Sequence, residues 1–113
     1  MVEIILQNGE KMESEAANTH MKRIKGLSGK KEKINLLFTF PFSMKWSFWM
    51  PNMKYPISII YLNKNKEVVD ILAAEPLTKD PKTWKSYKPS KSCKYALETP
   101  HEHNIKKGDM LKW

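Results

Sequence analysis

The sequence predicts an α+β fold that is mostly β: a small single-domain β barrel or sandwich-like sheet with one or two short helices. Three observations predict it. Short apolar runs of alternating character recur along the chain, the period of a half-buried strand. Turn residues, among them Asn8-Gly9, Asn63-Lys64-Asn65-Lys66 and Lys107-Gly108-Asp109, separate those runs. The chain has 113 residues of which 41% are hydrophobic, enough apolar material for one domain's core and too much for a disordered chain.

The first strand is expected at Val2 to Leu6, with Asn8-Gly9 turning it into a second run from about Lys11 to Ala17. Asn and Gly both tolerate positive φ, which a tight hairpin demands. Thr19 is placed to cap a short helix through about Lys25 that Gly26 ends. Ile34 to Phe40 alternates, with Ile34, Leu36, Phe38 and Phe40 on one face, and Pro41 stops that strand or marks it as an edge. Trp46 to Met50 reads as a further aromatic strand. Ile57 to Leu62 is apolar on both faces and so reads as a central strand, paired with Glu67 to Ala73. Glu75 to Ser92 holds Pro76, Pro81 and Pro89 and no apolar period, so it reads as a long loop. Lys94 to Thr99 is a strand, Pro100 to Ile105 one helical turn, and the chain returns in a last strand ending at Trp113. Phe38, Phe40, Ile57, Ile59 and Leu97 are the expected core.

Composition restricts the functional classes. Cys93 is the single cysteine, so no intramolecular disulfide forms. No apolar stretch is long enough to span a bilayer. The run from Val2 to Leu6 is too short for a signal-peptide core, and Glu3 stands where such a peptide carries positive charge, so a cytoplasmic location is expected. The formal net charge is +8, which attracts polyanions. Almost all of it is lysine, Arg23 being the only arginine. Lysine is a solvated point charge, whereas arginine is suited to bidentate phosphate and base recognition. The charge therefore reads first as a solubilising surface, with nucleic acid as a partner that is not favoured.

Two aromatic segments are the candidate site. Trp49 on a strand offers a stacking surface beside the Asn52 amide, with Tyr55 following. Trp84, Tyr87 and Lys88 lie in the proline-rich loop among further lysines. Burial in the core competes for Trp49, and anchoring of the loop competes for Tyr87. His101-Glu102-His103 has too few partners for a metal site, since structural zinc needs four ligands and catalytic zinc three. No nucleophile, phosphate-loop or dinucleotide motif is present. Glu75, Glu98 and Asp109 are isolated carboxylates, Asp109 reading as a turn cap and Cys93 as a buried thiol.

Several segments, taken in order, resemble the family called domain of unknown function 192. They are Gly26-Leu27, Phe48-Trp49-Met50 with Asn52, Pro56-Ile57 with Ile59, and Val68 to Ile71 with Pro76. Tyr87-Lys88-Pro89, Tyr95-Ala96-Leu97-Glu98 and Gly108-Asp109 complete the set, which covers about Thr19 to Trp113. Against the family pattern, Pro51 stands for lysine, Met53 for threonine, and Ser58 and Asn63 each for aspartate. The resemblance implies a β-rich fold and no particular reaction. The expectation is a non-catalytic binding module for a small anionic or sugar-like ligand, at Trp49, Asn52, Tyr55, Trp84, Tyr87 and Lys88, without metal or cofactor. A protein associated with single-stranded nucleic acid is the second reading, and a hydrolase-like enzyme using Glu98 or Asp109 the weakest.

Overall fold

The structure is a computed structural model that describes residues 1–17, 33–48, 55–75 and 86–113. Six strands form one mixed sheet: β1 (Val2–Ile5), β2 (Lys11–Ala17), β3 (Leu36–Met44), β4 (Ile57–Leu62), β5 (Val68–Ala74) and β6 (Cys93–Thr99). Their order across the sheet is β1-β2-β3-β6-β4-β5. β2 and β3 pair in parallel and every other neighbouring pair is antiparallel.

The hairpins form where the turn residues stand. Between β1 and β2, Gly9 takes φ 91°, and the Asn8 side-chain oxygen accepts the Glu10 N–H at 2.9 Å. Between β4 and β5, Lys66 takes the left-handed conformation at φ 64°. That conformation disfavours a Cβ-bearing residue. Asn63 holds the turn there, its side-chain oxygen accepting from the N–H groups of Asn65 and Glu67 at 2.9 and 3.1 Å.

Side-chain alternation puts an apolar cluster on each face of the sheet. One holds Leu36, Phe38, Phe40, Tyr55, Ile57, Ile59, Tyr61, Cys93 and Ala96. The other holds Ile4, Leu6, Leu37, Ile60, Leu62, Val68, Leu97, Ile105 and Leu111. β4 contributes to both, which is why its sequence is apolar on both faces apart from Ser58 near its start.

Several expectations are corrected. The ladders leave β1 and β5 as edges, so the sheet is not closed into a barrel. The C-terminal segment touches both edges by single bridges only, Lys112 with Ile5 and Met110 with Glu67, rather than adding a last strand. No helix occurs among the described residues, and the helix expected over 19–25 lies outside them. The turn expected at Pro100 to Ile105 is not helical. The Ile105 N–H, which a helix would give to the carbonyl of residue 101, goes instead to His103 Nδ1 at 3.1 Å.

Pro41 does not stop β3. β2's last partner on β3 is Phe38, and the pairing of β3 with β6 shifts register between Thr39 and Met44. Pro41 sits beyond the one and inside the other, where a missing N–H is tolerated. β3 ends instead at Met44, whose carbonyl accepts the Trp46 N–H at 3.0 Å while the Phe42 carbonyl accepts the Trp46 indole N–H at 3.0 Å. Of the aromatic strand expected from Trp46 to Met50, residues 46–48 show only a single bridge, Phe48 to Tyr87, and residues 49 and 50 lie outside the described residues.

Ile59 is 0% exposed in the middle of β4. Replacing it with alanine is expected to cost about 2–5 kcal/mol in urea unfolding, from lost transfer energy plus the cavity left behind. A cost under about 0.5 kcal/mol, the range of a surface substitution, would contradict this packing.

Candidate functional site

At one end of the sheet β4 and β3 begin while β5 and β6 finish, and Ser58 pairs with both Ala73 and Thr99. Pro100 follows β6 directly, and residues 100–104 turn over this end. The Thr99 hydroxyl fixes the start of that turn by accepting the His101 N–H at 3.2 Å. The His101 ring donates from Nε2 to the Lys33 carbonyl at 2.8 Å, tying the turn to the approach to β3. His103 accepts from Ile105 through Nδ1, so that nitrogen carries no proton, and burial lowers the pKa of the ring in the same sense.

These elements enclose an open cleft of about 750 Å³. Its described walls carry the hydroxyl residues Ser58 and Thr99, the amide of Asn104, the imidazoles of His101 and His103, and the carboxylates of Glu10, Glu75 and Glu102. No lysine is among its described lining residues. Such a wall offers many hydrogen bonds to an uncharged polar ligand and repels an anion. No group of three or more metal-ligating side chains occurs among the described residues, and each of these two histidines has one ring nitrogen already engaged.

The site expected from sequence is only partly in view. Trp49, Asn52 and Trp84 lie outside the described residues. Tyr55 is 7% exposed within the first apolar cluster, with the Lys33 ammonium 6.0 Å from its ring centre. Tyr87 packs against the same cluster. Its backbone pairs with Phe48, its carbonyl accepts the Tyr61 hydroxyl at 2.8 Å, and its own hydroxyl accepts the Glu75 N–H at 3.1 Å. These bonds pin the loop to the sheet, the role that competes with ligand contact at this tyrosine. Lys88 beside it is exposed. Tyr55 and Tyr87 thus share a face, and the cleft meets them through Pro56 and Glu75 at its rim.

Three acidic residues separate by environment. Asp109 accepts the Lys106 N–H at 3.0 Å and caps the turn that carries Gly108 at φ 90°. Asp70 is buried, which opposes its charge, but the Ser90 N–H, the Lys107 ammonium at 3.3 Å and the Ile71 N–H outweigh that and lower its pKa. Glu98 is 4% exposed on β6, paired with Leu36 on one side and Ile59 on the other. Burial pushes its carboxyl up to about 8, so at neutral pH it is mostly protonated. The same desolvation raises the Tyr61 hydroxyl, with Cys93, Glu98 and Asp70 adding to it, and lifts the Cys93 thiol to about 11. Cys93 is therefore an inert core thiol. The sequence marks Glu98 only as an isolated carboxylate. The available signal is its place in Lys94 to Thr99, one step from Leu97 and two from Ala96, in a strand buried on both faces.

A small mixed sheet with a polar cleft at one end is the class of domain that these features define. The chain belongs to the DUF192 family, described as Uncharacterized ACR, COG1430, which it matches over residues 3–113. The match therefore includes the β1–β2 hairpin, which the motifs in the sequence do not reach. A UPF0127 protein of Pyrococcus furiosus is 30% identical over 109 residues, covering 91% of this chain and 88% of the relative. One from Pyrococcus horikoshii is 30% identical over 103 residues, covering 86% and 84%. The fold is shared with a protein of unknown function from Novosphingobium aromaticivorans, at TM-score 0.84 and 24% identity over 99% of this chain and 84% of that one. It is shared also with a putative transcription regulator of Sinorhizobium meliloti, at TM-score 0.82 and 19% identity over 97% and 89%.

The buried carboxyl predicts a pH dependence. A folded pKa near 8, above the ordinary value of 4.5, means that the native state binds more protons than the unfolded state between those values. The stability this contributes is present below the unfolded pKa and is lost as pH rises through the folded one. Glu98→Gln removes the titration, so its stability relative to the unsubstituted chain is expected to grow by about 2–4 kcal/mol from pH 5 to pH 9. Urea unfolding at both pH values measures this, and parallel pH profiles for the two proteins would contradict it.

Proposed function

We propose that this domain is a small non-catalytic binding module whose cleft takes an uncharged polyhydroxy, sugar-like ligand. The cleft wall carries the reading: hydroxyls, an amide, imidazoles and carboxylates converge at the sheet end, with no lysine among the described lining residues. Carboxylate and amide groups satisfy vicinal hydroxyls in pairs. Of the two ligand classes the sequence suggests, anionic and sugar-like, this wall favours the second, because Glu10, Glu75 and Glu102 repel an anion. Trp49 and Asn52 keep their place in the reading as a stacking ring and amide on the segment that leads into Tyr55 and β4.

The surroundings of Glu98 and Asp109 disfavour the hydrolytic reading that would use those two carboxylates. Asp109 is committed to its turn and Glu98 is flanked by Leu36 and Ile59 rather than found in the described cleft lining. A catalytic pair needs both groups within reach of one substrate bond.

The test is an NMR titration of the uniformly ¹⁵N-labelled chain with glucose, N-acetylglucosamine and, separately, inorganic phosphate. Saturable shifts at the amides of Ser58, His101, Glu102 and Asn104 are expected with a sugar and none with phosphate. Glu102→Ala with Asn104→Ala, both exposed, is expected to weaken binding by about 1–3 kcal/mol through the hydrogen bonds removed. No shift at these amides with either sugar, or shifts with phosphate alone, would contradict the reading.

A further inference from the structure

A second surface stands at the other end of β3. Phe42 is 56% exposed and Met44 41% exposed. The Phe42 ring lies 5.2 Å from that of half-buried Trp46, which in turn stacks on Phe40 at 4.5 Å with the rings 10° apart. The core thus supports a rigid row of rings whose outer members reach solvent.

The exposed charge on the neighbouring stretches is of one sign; the carboxylate of Asp70, which accepts the Ser90 N–H at 3.0 Å, is buried and paired with Lys107. Met44 pairs with Cys93, and Phe48 bridges Tyr87, so residues 44–48 and 87–93 run side by side. Neither stretch contains Asp or Glu, nor do residues 36–48 or 86–97 as a whole. Lys45, Lys88 and Lys91 on these stretches are exposed, and none is paired with a carboxylate among the described residues. Lys94 is held inward, donating to the Phe40 carbonyl at 2.8 Å.

We propose that Phe42 and Trp46, flanked by Lys45, Lys88 and Lys91, form a binding surface for single-stranded nucleic acid. Rings stack on unpaired bases irrespective of sequence, and lysines meet the phosphates as point charges. These stretches carry no arginine, which fits binding without base readout. Two other occupants fit less well. An added peptide strand would need the backbone donors of an edge, and Pro41 removes one from this stretch of β3. A lipid surface would need a broader apolar area than two large exposed side chains provide. Trp49 and Trp84, the stacking rings expected from the sequence, lie outside the described residues; this surface rests on Phe42 and Trp46 instead.

The experiment uses the full chain and a fluorescein-labelled oligothymidylate of about 15 nucleotides, within the site sizes of single-strand binders, read by anisotropy across a salt series. Phe42→Ala is expected to weaken binding about fivefold or more, the loss of one stack. Lys45→Glu and Lys91→Glu are each expected to weaken it and to flatten the log–log salt slope by about 0.7 for each phosphate no longer neutralised. Lys64→Glu reverses the same charge on the exposed β4–β5 turn and is expected to leave the affinity within about twofold, since the turn lies outside this surface. Phe42→Leu keeps an apolar side chain without the ring, so it separates stacking from folding, and circular dichroism checks each variant. Absence of binding, no effect of Phe42→Ala and Phe42→Leu, or an equal effect of Lys64→Glu would overturn the proposal. Equal binding of polyglutamate or of phosphatidylserine vesicles would overturn it too. The surface and the cleft use different residues, so one fails without the other.

Discussion

β6 pairs with β3 on one side and with β4 on the other. These ladders are the only ones that join the β1-β2-β3 half of the described sheet to the β4-β5 half. Cys93 and Ala96 of β6 belong to the apolar cluster on one face, and Leu97 belongs to the cluster on the other. Each partner is distant in sequence: Glu98 lies opposite Leu36 and opposite Ile59. Loop closure must therefore be met before any of these pairs forms. The burial that compensates for it comes from both faces at once.

This constraint also shapes the two surfaces. At the C-terminal end of β6, Pro100 turns the chain over the sheet, and the cleft forms in the angle. At its N-terminal end Cys93 meets Met44 across a shifted register, and the mismatch leaves Phe42 and Met44 outside the packed face. β6 is buried at both ends, at Cys93 and at Thr99, so the strand is scaffold and the two surfaces lie on the segments that flank it, the usual division between scaffold and function. Glu98 shows the strength of that burial. A carboxyl held among Leu36 and Ile59 titrates near 8 because the surrounding apolar side chains exclude the solvent that would stabilise its charge.

The strands are legible in the sequence where alternation and turn chemistry agree. Asn8-Gly9 and Asn63 to Lys66 place two hairpins, and Ile57 to Leu62 identifies a strand buried on both faces. Sequence misleads where local rules meet tertiary ones. Pro41 looks like a stop, yet β2 ends before it and the strand continues. Pro100 to Ile105 looks helical, yet a histidine ring takes the amide proton that a helix would use. The aromatic run from Trp46 reads as a strand because alternation alone cannot show that the Trp46 indole bonds back to Phe42. The cleft is nearly invisible. Ser58, Thr99 and Asn104 are ordinary polar residues in sequence, and only the register that places Ser58 opposite Ala73 and Thr99 brings them to one wall. The His101 and His103 pair has the look of a metal motif, but its hydrogen bonds give it the task of shaping the turn.

Native-state hydrogen exchange tests the dependence on β6 most directly. If β6 joins the two halves, the amides of Ala96, Leu97 and Glu98 are expected to exchange only through global unfolding, with an opening free energy equal to that from urea unfolding. Amides of the β1–β2 hairpin, at a sheet edge, are expected to open at lower free energy. Exchange at Ala96 to Glu98 that is faster than in the hairpin, or that persists at a sub-global free energy while β3 and β4 stay protected, would contradict the account.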